Sequence, residues 1–169
     1  MTAAVVVLAV ALAGTLGWIA WTHRPRRIAA GHGARRILVP FRGRLDPTVL
    51  DAAIRIARAE DAVLVPAYLL IVPLDYGEES PLRDEVQVAM PLLEAVEHAA
   101  LRAGVPVDAR IEKGRTPTHA LRRLWEIEHF DRIVAPAPAD GRSGFTAKEL
   151  AWLLTHAPSE TLVLKPGPD

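Results

Sequence analysis

The chain of 169 residues has room for one ordinary domain and a little more. Half of it is apolar, enough for a sizeable core, and 20 basic groups balance 20 acidic ones, which excludes the overall basic footprint of a nucleic-acid binder. With no cysteine, disulfides, thiolate chemistry and Cys-ligated zinc are excluded as well.

The first element is an uncharged apolar run, Ala3 to Trp21, AAVVVLAVALAGTLGWIAW. A helix of that length spans about 28 Å at roughly 1.5 Å per residue, close to a bilayer core. Trp18 and Trp21 stand at its C-terminal end, where indole rings favour the membrane interface. A cleaved signal peptide is the alternative. It fits less well, because no Lys or Arg precedes the run and the positive charge follows it. The expectation is one transmembrane helix over residues 1–22, with the N-terminus outside and the body cytoplasmic.

Residues 23–34 form a basic linker broken by Pro25, Gly31 and Gly33. Arg24, Arg26 and Arg27, followed by Arg35 and Arg36, can bind anionic headgroups at about 1 kcal/mol each or simply set topology.

From residue 35 to 169 strand and helix patterns alternate. RILVPF predicts a strand, and Asp46-Pro47 opens a helix with Leu50, Ala53, Ile54 and Ala57 inward. AVLVPAYLLIV predicts the second strand, and residues 73–87 a polar loop. Met90, Leu93, Val96 and Ala100 mark a helix closed by Gly104; VPVDARIEK alternates as a third strand. Thr116 or Thr118 opens a helix with Leu121, Leu124 and Ile127 inward, and DRIVAP follows as a fourth strand. A helix over Ala147 to His156 and a last strand, TLVLKP, complete the series. Such alternation predicts an α/β fold: a five-stranded, mostly parallel sheet with helices on both faces.

ILVPFRG, EKGRTP, DRIVAPAPADGRSGF and THAPSETLVLKP, in this order and spacing, resemble the universal stress protein family from Arg35 to Lys165. In the family's nucleotide-binding branch the resemblance implies G-x-x-G, nine residues, then G-[ST]. Anchored on Gly141-Arg142-Ser143-Gly144, the first glycine falls on Pro138 and the last pair on Ala151-Trp152. The acidic residue expected after the first strand, which holds the nucleoside, falls on Arg42. Pro138 removes a donor, Trp152 puts an indole where a small hydroxyl residue belongs, and Arg42 replaces an acceptor by a donor. ATP is therefore disfavoured as a cofactor, although Gly141, Arg142, Ser143, Gly144 and Arg42 would form the vestige of its site. Alternatively, the glycines only permit the strand-to-helix turn.

Catalysis is not expected. The six histidines form no tight metal-ligand pair, Ser143 lies in no nucleophile elbow, and Glu78-Glu79 and Asp84-Glu85 read as solvated charge. The leading expectation is a non-catalytic, membrane-anchored regulatory module that docks on a membrane protein such as a transporter, a partner implied by the resemblance. The alternative is a nucleotide-binding stress sensor with an atypical site. The resemblance further implies an exposed last strand, so Thr161 to Lys165 is the expected edge for pairing with a second copy or with the partner.

Overall fold

The computed structural model describes residues 34–77, 80–137 and 144–165. The expected transmembrane helix, the linker and Gly141, Arg142 and Ser143 lie outside the described residues. Among the described residues no helix is long and apolar enough to cross a membrane.

Among the described residues five strands and four helices alternate: β1 (Arg36–Phe41), α1 (Pro47–Ala59), β2 (Val63–Ile71), α2 (Arg83–Arg102), β3 (Arg110–Gly114), α3 (Pro117–Ile127), β4 (Arg132–Pro136), α4 (Ala147–His156) and β5 (Glu160–Leu164). The strands form one sheet in the order β3-β2-β1-β4-β5, and every neighbouring pair is parallel. The near-continuous apolar runs of β1, β2 and β4 fit that arrangement, because both faces of these strands are covered. One core joins α1 and α2 to the sheet through Val49, Ala53, Leu93, Val96 and Ala100. The other joins α3 and α4 to the opposite face through Leu121, Leu124, Phe130, Phe145 and Leu153.

Local chemistry sets the helix starts. The Asp46 carboxylate accepts from the amides of Thr48 and Val49, with Pro47 in the first turn where its missing N–H is not needed. Thr116, not Thr118, caps α3 by accepting from the His119 amide, and Gly104 beyond α2 has φ +75. The segment expected as a loop through residue 87 is the main departure. α2 already starts at Arg83, after Leu82 turns the chain at φ 38, and it carries Pro91 within its length. Asp84 and Glu85 are first-turn acids that favour the helix dipole, not loop charge. Ala89 takes the buried place expected for Met90. Ile127, expected inward, is 71% exposed as the last residue of α3.

Among the described residues β5 lies at the sheet edge as expected, paired with β4 alone. Its Leu162 and Leu164 pack partly against the core, and Val163 is exposed.

Candidate functional site

Strand order reverses between β1 and β4, because the chain runs outward to β2 and β3 and then returns to the far side of β1. In open parallel sheets ligands bind at the carboxyl ends of the strands at such a switch point. The two strands pair only at Ile37 with Arg132 and Leu38 with Ile133. Beyond those pairs each carries a proline, Pro40 and Pro136, which cannot donate to a ladder. This switch point, at the carboxyl ends of β1 and β4, is therefore the candidate site.

Arg42 follows β1 directly, and Glu149 stands in the first turn of α4, after β4. They meet across the switch point: the Arg42 guanidinium donates to Glu149 Oε2 at 2.9 Å, with the side chains 33% and 17% exposed. The same oxygen accepts from the Thr146 amide at 2.7 Å and its hydroxyl at 2.9 Å, while Thr146 Oγ1 accepts from the Glu149 amide. Glu149 thus closes a capping box and holds Arg42 with one carboxylate. Sequence reading missed Glu149, although Thr146-x-x-Glu149 is the signature that marks it.

Gly144 has φ +94, and a Cβ there would stand 2.5 Å from the Ala137 carbonyl oxygen and 3.0 Å from that of Pro136. The Phe145 amide donates to the Pro136 carbonyl, which folds the chain back over the end of β4. This supports a backbone role for Gly144, the alternative weighed in the sequence. Of the expected site residues, the structure describes Arg42, just after β1, and Gly144, against the end of β4, both on the carboxyl-end side of the switch point. Trp152, aligned with a phosphate contact, is half-buried and stacks at 5.5 Å on Trp125 of α3 and at 4.9 Å on His156. Arg122 lies 5.8 Å over its ring. That indole belongs to the packing between α3 and α4.

A denser charge cluster sits at the opposite end of the strands. Asp108 Oδ2 accepts from Arg36 and Arg110, each at 2.6 Å, and Glu128 pairs with the same two guanidiniums. Burial pushes the Asp108 carboxyl up, but hydrogen bonds from Arg110 and Arg36 outweigh it and hold the group below its ordinary value. Arg36, counted in the sequence among five headgroup-binding arginines, is 19% exposed and engaged here, so it is not free for lipid. No group of three potential metal ligands occurs among the described residues.

The fold is that of the universal stress proteins. A family member from Burkholderia pseudomallei matches with a TM-score of 0.58 at 23% identity, over 81% of this chain and 99% of that one. A universal stress protein in complex with cAMP matches at 0.57 and 18% identity, over 79% and 98%. A family protein from Arabidopsis thaliana with AMP bound matches at 0.56 and 16% identity, over 80% and 94%. No family profile matches the sequence, and no curated protein is similar to it.

Proposed function

We propose that the domain is a non-catalytic nucleotide-responsive sensor whose ligand binds at the β1/β4 switch point, with an adenine nucleotide as the ligand class. The observation that carries this reading is the Arg42–Glu149 pair at the switch point of a fold in which two solved proteins hold AMP or cAMP. The pair also explains why binding would be weak. An anionic ligand must displace a carboxylate that already satisfies the guanidinium and caps the helix. Glu149→Gln keeps the capping box, since Gln serves at that position, but removes the competing charge. Calorimetry with AMP, cAMP and ATP is expected to give at best weak binding to the unaltered chain. Glu149→Gln is expected to improve it about tenfold, or ~1.4 kcal/mol. If millimolar nucleotide binds neither form, the sensor reading is wrong. Arg42→Asp alone would place two carboxylates together, so that variant needs Glu149→Gln beside it.

A second reading adds location: a single-pass anchor over residues 3–21 holds the domain at the cytoplasmic face of the cell membrane, as a regulatory partner of a membrane protein such as a transporter. The apolar run and the following Arg24, Arg26 and Arg27, suited to anionic headgroups, support it. The β5 edge, with Val163 exposed, supports pairing through Thr161 to Lys165 with a second copy or that partner. The full chain is expected to resist carbonate extraction, and in mild detergent to run larger than a monomer. A chain released by carbonate ends the anchor reading; a strictly monomeric chain ends pairing with itself.

A further inference from the structure

α2 is held to the body unevenly. Its second half, beyond Pro91, packs into the main core through Leu93, Val96 and Ala100. Its first half is fastened differently. Arg83, Asp84, Glu85, Gln87 and Val88 are exposed, Val86 is half-buried, and Ala89 buries only a methyl. Pro91 cannot donate to the Gln87 carbonyl, so the helical ladder is interrupted between the two halves. Among the described residues no side chain caps the helix start. The fastening is Leu82. Its side chain is 7% exposed and completes a small cluster with Leu70 and Val72 at the carboxyl end of β2, joined by Tyr68, Val86 and Ile111. Just ahead of it, Lys113 of β3 donates to the Ser80 carbonyl at 2.7 Å. The Leu82 backbone lies at φ 38 and ψ 57, a left-handed conformation strained for any residue with a Cβ. Such strain persists only where the surrounding packing enforces it.

We infer that residues 82–90 form a strained latch, hinged at Pro91, that closes over the carboxyl ends of β2 and β3 and, when closed, steadies the end of β1 that carries Arg42. The tie runs through Tyr68. This side chain packs against the Leu82 cluster and, as the register partner of Phe41 on β1, meets that ring edge-on at 5.5 Å. Phe41 is fully buried, and Arg42 follows it, paired with Glu149. Opening the latch takes Leu82 and Val86 away from Tyr68, frees its ring to move, and loosens Phe41 and Arg42 with it. The hinge leaves the second half of α2 in the core, so the latch opens without unfolding the domain. The device acts on the switch point and does not depend on the ligand there being a nucleotide.

Amide hydrogen exchange on the full chain in mild detergent, resolved by residue, tests this. Amides 83–85 are left out, because first-turn donors lack helical partners in any helix. Exchange at 87–90 is expected to run about tenfold faster than at 95–102. Leu82→Ala removes the catch but keeps the strain. It should speed exchange at 87–90 about tenfold again, and at Phe41 and Arg42 about threefold, with 95–102 unchanged. Pro91→Ala, at an exposed site, restores the missing donor and should slow exchange at 87–90 and at Phe41 and Arg42 together. Equal exchange in both halves of the unaltered helix overturns the inference. So does a Leu82→Ala effect that reaches 95–102 equally, which is global destabilisation, or one that stops short of Phe41 and Arg42, which is simple fraying. Should Leu82→Ala fail to fold, Pro91→Ala decides alone: slowing at both places supports the latch, and no change at Phe41 and Arg42 overturns it.

Discussion

Gly144→Ala is expected to destabilise the domain by about 3 kcal/mol, lowering the melting temperature of the body from Ala34 onward by about 10 °C. Two costs add. The backbone at φ +94 is strained for any residue with a Cβ, at about 1–3 kcal/mol. The added methyl would also lie 2.5 Å from the Ala137 carbonyl oxygen and 3.0 Å from that of Pro136. These are backbone atoms at the end of β4, where the Ala137 amide donates to the Leu164 carbonyl of β5. Relief must therefore come from shifting the β4–β5 pairing or opening the turn into α4. Because α4 carries Glu149, the variant should also loosen the Arg42 contact and raise accessibility around that pair. Thermal unfolding followed by circular dichroism measures the first effect. A melting temperature within a degree or two of the unaltered protein would show that the turn accommodates the methyl.

The alternation of elements was legible because apolar runs and cap residues coincide in this chain. Asp46-Pro47 and Thr116-Pro117 each supply an oxygen acceptor followed by a residue that needs no donor, and both open helices in the structure. The start of α2 was not legible. It has no side-chain cap, follows a non-glycine residue at φ 38, and begins with Arg83, Asp84 and Glu85, which mimic loop composition. Ile127 looked inward because helical spacing continues through it, yet the helix ends there and its side chain stands exposed. At the site, the sequence indicated the departure at Arg42 but not its partner. An ion pair between residues 107 positions apart depends on the β1/β4 neighbourhood, which only the sheet order supplies. Trp152 was legible as a departure, an indole at a position that suits a small hydroxyl residue, but its partner was not: the stack on Trp125 of α3 appears only in the structure.

Asp108→Asn is expected to cost about 2 kcal/mol at neutral pH. Removing one member of a buried charge cluster costs about 3–5 kcal/mol when the partner is left fully desolvated. Here the side chains are 25% exposed for Asp108 and 19% for Arg36 and Arg110, and Glu128 still opposes both guanidiniums, so solvent and the remaining carboxylate reduce the loss. The pH dependence follows from the direction of the Asp108 shift. Its carboxyl loses its proton more readily in the folded state than in the unfolded chain, where a value near 3.9 applies. The stabilisation is therefore complete above about pH 5 and is lost as pH falls below about 4 and through the folded-state value. Denaturant titrations of the body and of the variant should show a gap in stability that is constant from pH 5 to 8 and narrows toward pH 3. Other carboxylates titrate in both proteins, so the gap isolates this group. A gap that stays level into acid would mean that the Asp108→Asn variant loses stability for reasons of packing or geometry, and that charge at this end of the sheet contributes little to holding β1, β3 and the end of α3 together.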